Sequence, residues 1–292
     1  MRVLVVGSGF VGRTVAGAVV AGGNQAVLAS RHRPAGVAAW VELDVTDADA
    51  CAAVMRDIRP DGVVAVHGPS DVTWCEEHPD EARQAHLGST ENLVRTARDA
   101  RLVQISTDNV FDGGVPGYDE TARPAAANAY GRAKLAAERA SWEHGDSTVL
   151  RVSLIYGPES PAPGRRPNFV AHCAQALRAG RSVTVPDRQW TTPVHVDDVA
   201  AVTVAALGGA PPLLHLGGPR RISRVDWAYA IADRVGATGS MVKVEPKESS
   251  RYACRPVNSC LTSVLLPDLL DRWGLTVRDV DAGLVASVGA AA

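Results

Sequence analysis

Short apolar runs alternate along the chain with stripes that recur every three or four residues. Val3–Val6 and Val63–Val66 are unbroken apolar runs, the pattern of strands covered on both faces. Ala26–Ser30, Glu42–Val45 and Leu102–Ile105 read as the other strands of the first half, and Thr148–Ile155, rich in β-branched residues, as a sixth. Between them lie helical stripes. Val11, Val15 and Val19 share a face up to Gly22-Gly23, and Cys51, Val54, Met55 and Ile58 fall at i, i+3, i+4 and i+7 behind a cap at Thr46 or Asp47. Glu81 to Ala100 reads as one long helix.

The second half continues the alternation more loosely. Phe169, Val170, Cys173 and Leu177 form a stripe ended by Gly180, and Asp197 or Asp198 caps the next helix. Leu213–Gly218 is a late strand, and Ser223 caps a helix running through Ile231. Val277, Val280, Leu284 and Val288 mark a final amphipathic helix from Thr276. Strand–helix alternation of this kind predicts an α/β fold: a Rossmann-like, doubly wound parallel sheet with a smaller C-terminal α/β region for the substrate. The expected division is 1–155 and 156–292, interleaved, with His195–Gly208 packing back on the first part.

The first strand runs directly into Gly7-Ser8-Gly9-Phe10-Val11-Gly12. A glycine-rich turn between a strand and a helix lets the backbone approach a pyrophosphate, and the helix N-terminus offers free N–H groups. Gly7, Gly9, Phe10, Val11 and Gly12 are therefore candidate cofactor contacts. In NAD sites an acidic side chain after the second strand holds the ribose 2′-hydroxyl. Here no Asp or Glu precedes Glu42, and Ser30-Arg31-His32-Arg33 stands at that strand's end. Arg31 and Arg33, with Arg13 behind the glycines, suit a 2′-phosphate, so NADPH is the expected cofactor. Asp44 and Val45 at the third strand's end, and His67 and Gly68 after the fourth, complete the candidate cofactor set.

The candidate chemistry is Tyr130-Gly131-Arg132-Ala133-Lys134. Residues four apart share a helix face, and an ammonium beside a phenol is expected to lower its pKa from about 10, giving a proton donor usable near neutral pH. Ahead of it, Thr107 in Ser106-Thr107-Asp108-Asn109 closes the fifth strand, where a hydroxyl can bond a substrate oxygen. Thr107, Tyr130 and Lys134 are the expected catalytic set. His195-x-Asp197-Asp198 offers no fourth ligand, so no metal is expected.

Taken together these blocks resemble the extended short-chain dehydrogenases, and within them the dTDP-4-dehydrorhamnose reductases. The resemblance rests on Ser106-Thr107-Asp108-x-Val110-Phe111-Asp112-Gly113, Tyr118-x-Glu120, Pro124 and Asn128-x-Tyr130-Gly131. It continues through Lys134-Leu135 with Glu138, Arg151-x-Ser153, Tyr156-Gly157, Asn168-Phe169, Thr192-Pro193-x-His195-x-Asp197-Asp198-Val199-Ala200 and Arg255-Pro256-x-Asn258-Ser259-x-Leu261. It implies reduction of a keto group on a nucleotide-linked 4-keto-6-deoxysugar. Thr107, Asp108, Asn109, Asn168 and Trp190 would line the substrate, with Arg165 and Arg166 near a diphosphate.

Three positions depart from the pattern. The glycine turn is one residue shorter than is usual there, Asn109 replaces a pocket Tyr, and His86 replaces an Asn. Asn109 also argues against a 4,6-dehydratase, which needs a Glu after Thr-Asp, and the Cys of a GDP-fucose-synthase-like epimerase is absent. A reductase of a non-sugar ketone or imine is the first alternative. The second is a non-catalytic NADP-binding regulatory subunit like the β subunit of methionine adenosyltransferase, which resembles the same family.

Composition narrows the partners. The 292 residues are 46% hydrophobic and 21% charged with a net charge of −2, against a nucleic-acid or membrane surface. Five cysteines without a C-x-x-C pair suit free thiols in a reducing compartment. With no signal-like or membrane-spanning run, the expectation is a cytoplasmic protein binding a small molecule, with a homodimer as the default assembly.

Overall fold

The computed structural model describes residues 1–159, 167–249 and 252–289. One sheet organises the chain. Its strands are β1 (Arg2–Val6), β2 (Gln25–Ser30), β3 (Trp40–Glu42), β4 (Gly62–Ala65), β5 (Arg101–Thr107), β6 (Ser147–Val152) and the late strand Leu213–Leu216. They pair in parallel, in the order late strand, β6, β5, β4, β1, β2, β3. The winding direction reverses between β1 and β4, where Val6 is level with Ala65. In an open parallel sheet that reversal opens a crevice at the strands' C-terminal ends, the usual place for a dinucleotide.

The central strands are covered on both faces, which is why they read as apolar runs. On one face Val3, Val5, Val64, Val103 and Leu150 pack with Val15 and Val19 of α1 (Phe10–Ala21) and with Val199, Val202, Ala206 and Leu207 of the helix Val196–Leu207. On the other, Leu4, Val6, Val63 and Leu102 pack with Cys51, Val54 and Met55 of α2 (Ala48–Ile58), and with Leu93 further along the chain. A second core lies in the C-terminal half. Trp227 is its largest fully buried side chain, surrounded by Tyr156, Val170, Leu177, Val185, Ile231 and Leu284. Small sheets frame it, among them Trp190–Thr191 held between Ile222–Ser223 and Asn258–Ser259.

The structure departs from the sequence reading at several boundaries. The expected long helix breaks into α3 (Val72–Glu77), α4 (Pro79–Arg83), a π-helical turn Gln84–Gly88 and α5 (Ser89–Thr96). β3 stops at Glu42, because Asp44 turns the chain by accepting the Thr46 N–H at 3.0 Å and its hydroxyl at 2.7 Å. The sixth strand ends at Val152, and Ile155–Tyr156 leaves the sheet to pair with Val194–His195. The cap of the helix Val196–Leu207 is His195, whose Nδ1 accepts the Asp197 N–H at 3.3 Å. Asp198 instead receives the Arg278 N–H at 2.9 Å. No helix among the described residues is long and apolar enough to cross a membrane.

Candidate functional site

The glycine turn sits at the end of β1, against the end of β4. Gly7 has φ +117°, and a Cβ there would lie 2.8 Å from the Val66 carbonyl oxygen. A Cβ on Gly12 would lie 1.8 Å from the Gly7 carbonyl oxygen. Both positions therefore require glycine, whatever the turn binds. α1 begins at Phe10 with no side-chain cap and no acidic residue in its first turn. Its leading N–H groups and the positive end of its dipole are left for an anion.

Beyond β2, Ser30 and the arginines divide their roles. The Ser30 hydroxyl is committed to its own loop, donating to the His32 carbonyl at 2.9 Å and accepting from Trp40 Nε1 at 3.0 Å. Arg13 ties the same loop by donating to the Ala35 carbonyl at 2.7 Å. Arg33 lies 5.9 Å from the Trp40 ring, while Arg31 is exposed and its charge helps hold the Asp44 carboxyl low, behind the two Thr46 hydrogen bonds. The Val45 carbonyl accepts Asn92 Nδ2 at 3.0 Å.

At the end of β4 stands a buried pair of histidines. His67 is 8% exposed and neither ring nitrogen has a hydrogen-bond partner among the described residues. Burial, and behind it the Lys134 charge, pull its pKa down to about 3, so the ring is neutral. His86 lies in the π-helical turn, with Nε2 3.0 Å from the Pro69 carbonyl and its ring edge-on to Tyr130 at 5.5 Å. Gly68, at φ +93°, makes room for it, since a Cβ there would lie 2.3 Å from the His86 ring. A π turn adds one residue to a helix and re-aims a side chain, and here the re-aimed side chain meets the tyrosine.

Thr107 is the last residue of β5, and α6 (Ala129–Trp142) carries Tyr130 and Lys134. Two features fix them together. Asn128 caps α6 by accepting the Gly131 N–H at 2.8 Å and donates to Asn109 Oδ1 at 3.0 Å. Gly131 lets α6 approach the 108–110 turn so closely that a Cβ would lie 1.9 Å from the Asn109 carbonyl oxygen. Within the turn, Asn109 Nδ2 donates to Asp108 Oδ1 at 2.8 Å and the Thr107 hydroxyl donates to the same oxygen at 3.2 Å. Ser153 donates to Asp108 Oδ2 at 3.2 Å. Burial raises the Asp108 carboxyl to about 6 against these hydrogen bonds.

The electrostatics correct one expectation. The Tyr130 phenol is pushed above its ordinary 10, by burial first and then by the charges of Asp108 and Cys75, with the Thr107 hydroxyl opposing. Lys134 does not draw it down. Its Nζ donates to the Ile105 carbonyl at 2.5 Å, and burial lowers its own pKa to about 8. The protein alone thus holds Tyr130 as a protonated phenol beside a lysine that is still mostly charged at neutral pH.

In the C-terminal half, Asn168 is spent on structure. It caps the helix Phe169–Arg178 through the Ala171 N–H at 3.2 Å and donates to the Gly157 carbonyl at 2.9 Å. Trp190 is half-buried with the Arg221 guanidinium 3.9 Å over its ring, so one face already has a partner. Arg165 and Arg166 lie outside the described residues. In the sequence Glu138, Arg151 and Ser106 stand only as members of motifs. They form a buried network beneath the site: Arg151 Nη2 donates to Glu138 Oε2 at 2.7 Å, Ser106 donates to Glu138, and Arg151 Nη1 lies 3.3 Å from His215 Nε2.

The chain is similar to known proteins along most of its length. Residues 1–277 match the family model described as the RmlD substrate binding domain. A probable low-salt glycan biosynthesis reductase of Haloferax volcanii is 28% identical over 226 residues, covering 75% of both chains. The methionine adenosyltransferase 2 subunit beta of Rattus norvegicus is 29% identical over 229 residues, 75% of this chain and 68% of that one. Among solved structures, a dTDP-4-dehydrorhamnose reductase from Bacillus anthracis in complex with NADP superposes with a TM-score of 0.83 at 23% identity, covering 97% of this chain and 96% of the other. A UDP-glucose 4-epimerase from Thermotoga maritima with UDP-glucose gives 0.85 at 19% identity, covering 99% and 97%. At these identities the structural likeness speaks for the fold.

Proposed function

The chain belongs to the RmlD substrate-binding-domain family across residues 1–277, and from that premise we propose that it is an NADPH-dependent reductase of a keto group carried on a nucleotide-linked 4-keto-6-deoxysugar. One observation supports this above the rest. Thr107, Tyr130 and Lys134 are locked together at the same end of the sheet as a glycine turn that tolerates no Cβ. A dinucleotide fits there: Gly7, Gly9, Phe10, Val11 and Gly12 would hold its pyrophosphate on the uncapped α1. Arg31 and Arg33 would meet a 2′-phosphate, with Ser30 shaping their loop. Asp44 and Val45 would border the adenosine end, and His67, Gly68, Tyr130 and Lys134 the nicotinamide end.

The bound nicotinamide supplies the hydride. The chain's own residues supply position and the proton. Tyr130, kept protonated by burial, gives its phenolic proton to the carbonyl oxygen as negative charge develops there. Thr107 turns its hydroxyl from Asp108 to the same oxygen. Lys134, one helical turn on and charged at neutral pH, would meet the nicotinamide ribose. Asp108 and Asn109 border the substrate oxygen, and Asn168, Trp190 and Arg165 would line the remainder of the cleft.

The test is loss of NADPH absorbance across a panel of nucleotide-linked 4-keto sugars, with NADH alongside. Turnover of one of them with NADPH supports the reading. Tight NADPH binding without turnover moves the reading to a non-sugar ketone or imine, to which Asn109 and His86 point. It would equally fit a regulatory subunit like the methionine adenosyltransferase relative, which an intact Thr107, Tyr130 and Lys134 set disfavours.

A further inference from the structure

Among the described residues two arginines are buried, and they are treated differently. Arg151 is 1% exposed and fully answered, by a two-pronged bond to Glu138 and by His215. Arg224 is 6% exposed and is not. Its Nε donates to Gln189 Oε1 at 3.1 Å. Among the described residues no carboxylate pairs with it, and Nη1 and Nη2 have no acceptor. Aromatic rings surround the guanidinium instead: Phe169 at 4.5 Å, Tyr252 at 5.8 Å and Trp227 at 5.9 Å. Rings recover part of the cost of burying a cation but give its forward N–H groups nothing to bond. A fold that keeps a largely buried, forked cation without a carboxylate partner is suited to receive an anion from a ligand.

The surroundings say where that ligand lies. Phe169 follows the helix cap Asn168, and Gln189 precedes Trp190. Ser223, next to Arg224, pairs with Trp190 across the small sheet. The charge of Asp108 in the catalytic turn also acts on Arg224. Arg224 thus stands among the rings of Phe169, Trp227 and Tyr252, close enough to the Thr107–Asn109 turn for the Asp108 charge to act on it. We infer that Arg224 is the anion anchor of the substrate cleft, taking the diphosphate of the nucleotide-linked substrate on its two free guanidinium nitrogens. This rests on the reading of the substrate as a nucleotide sugar, and it assigns to a buried residue the role that the sequence suggested for Arg165 and Arg166.

The experiment is calorimetric titration of the full chain, saturated with NADPH, with dTDP, UDP, GDP and inorganic pyrophosphate. It is run on the wild type, Arg224→Met and Arg224→Lys, with a melting curve for each. Arg224→Met should weaken the best nucleoside diphosphate by about 30-fold or more, and Arg224→Lys by about 5-fold, because the lysine keeps the charge and loses the fork. NADPH affinity should not change. The melting temperature of Arg224→Met should hold or rise, since an unanswered cation has been removed; a purely structural arginine would lower it.

Unchanged diphosphate affinity in a folded Arg224→Met overturns the inference and leaves the nucleotide-sugar reading standing. If the methionine variant does not fold, a folded Arg224→Lys decides: weakened binding supports the anchor, unchanged binding overturns it. A wild type that binds none of the four probes, yet oxidises NADPH with a ketone lacking a diphosphate, overturns both the inference and the reading beneath it.

Discussion

At the residue scale the site is governed by missing side chains as much as by present ones. Gly12→Ala would place a Cβ 1.8 Å from the Gly7 carbonyl, so the turn must open. NADPH affinity should fall by at least about 10-fold while the far-ultraviolet circular dichroism stays native. Gly131→Ala should instead spare NADPH and lower turnover, because its Cβ would push α6 off the Asn109 carbonyl and displace Tyr130 from Thr107. The buried charges make a separate prediction for pH. Asp108 is raised from 3.8 to about 6, so the folded chain holds this proton where the unfolded chain has released it. Its contribution is fully present below 3.8 and is lost as pH rises through 6. Lys134 is lowered from 10.5 to about 8, so its contribution is present above 10.5 and lost as pH falls through 8. Denaturant titrations should therefore show stability falling across the acid window and rising across the alkaline one. Asp108→Asn should flatten the first limb and Lys134→Met the second.

These residues were unequally legible. The glycine turn and the Tyr130–Lys134 spacing are local, and local spacing survives in a sequence. The raised phenol was not legible, because it depends on burial and on Asp108 and Cys75, which arrive from other elements. Asn168 and Trp190 are expected to line a substrate, and their spacing could not show that their polar atoms and one ring face are engaged by Gly157, Ala171 and Arg221. Arg224 carried no signal at all: it follows a helix cap, and only tertiary packing buries it.

At the element scale, α6 is held to the sheet by a charge as well as by apolar contact. Glu138 on α6 and Arg151 on β6 are 0% and 1% exposed as side chains and share two-pronged hydrogen bonds. Removing one partner strands the other in low dielectric, so Glu138→Gln or Arg151→Met should each cost about 3–5 kcal/mol of stability. Urea unfolding would measure this, and a loss below about 1 kcal/mol would mean the network is hydrated. The periodicity of 81–100 gave no warning of the π turn at Gln84–Gly88, since one inserted residue merely shifts an apolar stripe. Strand ends were misplaced for a related reason. Asp44 and the departure of Ile155–Tyr156 are set by hydrogen bonds to residues that hydropathy does not register.

At the scale of the whole molecule, a seven-stranded parallel sheet is joined by a C-terminal half with a core of its own. The reversal of winding between β1 and β4 puts the glycine turn, the histidine pair and the Thr107 strand end on one rim. The first acidic residue of the chain lies beyond β2, and Arg31 and Arg33 occupy the loop an acid would fill. Replacing both arginines by serine should raise KM for NADPH by about 10-fold or more and leave KM for NADH nearly unchanged, as loss of charge-assisted bonds to one phosphate predicts. Steady-state kinetics with both cofactors would check it.

Everything proposed for the site turns on Tyr130 as the proton donor of an NADPH-dependent keto reduction. The most direct measurement is NADPH oxidation by the wild type and by Tyr130→Phe, on the best nucleotide-linked 4-keto-6-deoxysugar, with NADPH affinity determined for both. Turnover should fall by about 10²–10⁴-fold while NADPH affinity stays within about 2-fold. Turnover that survives the loss of the phenol would contradict that role.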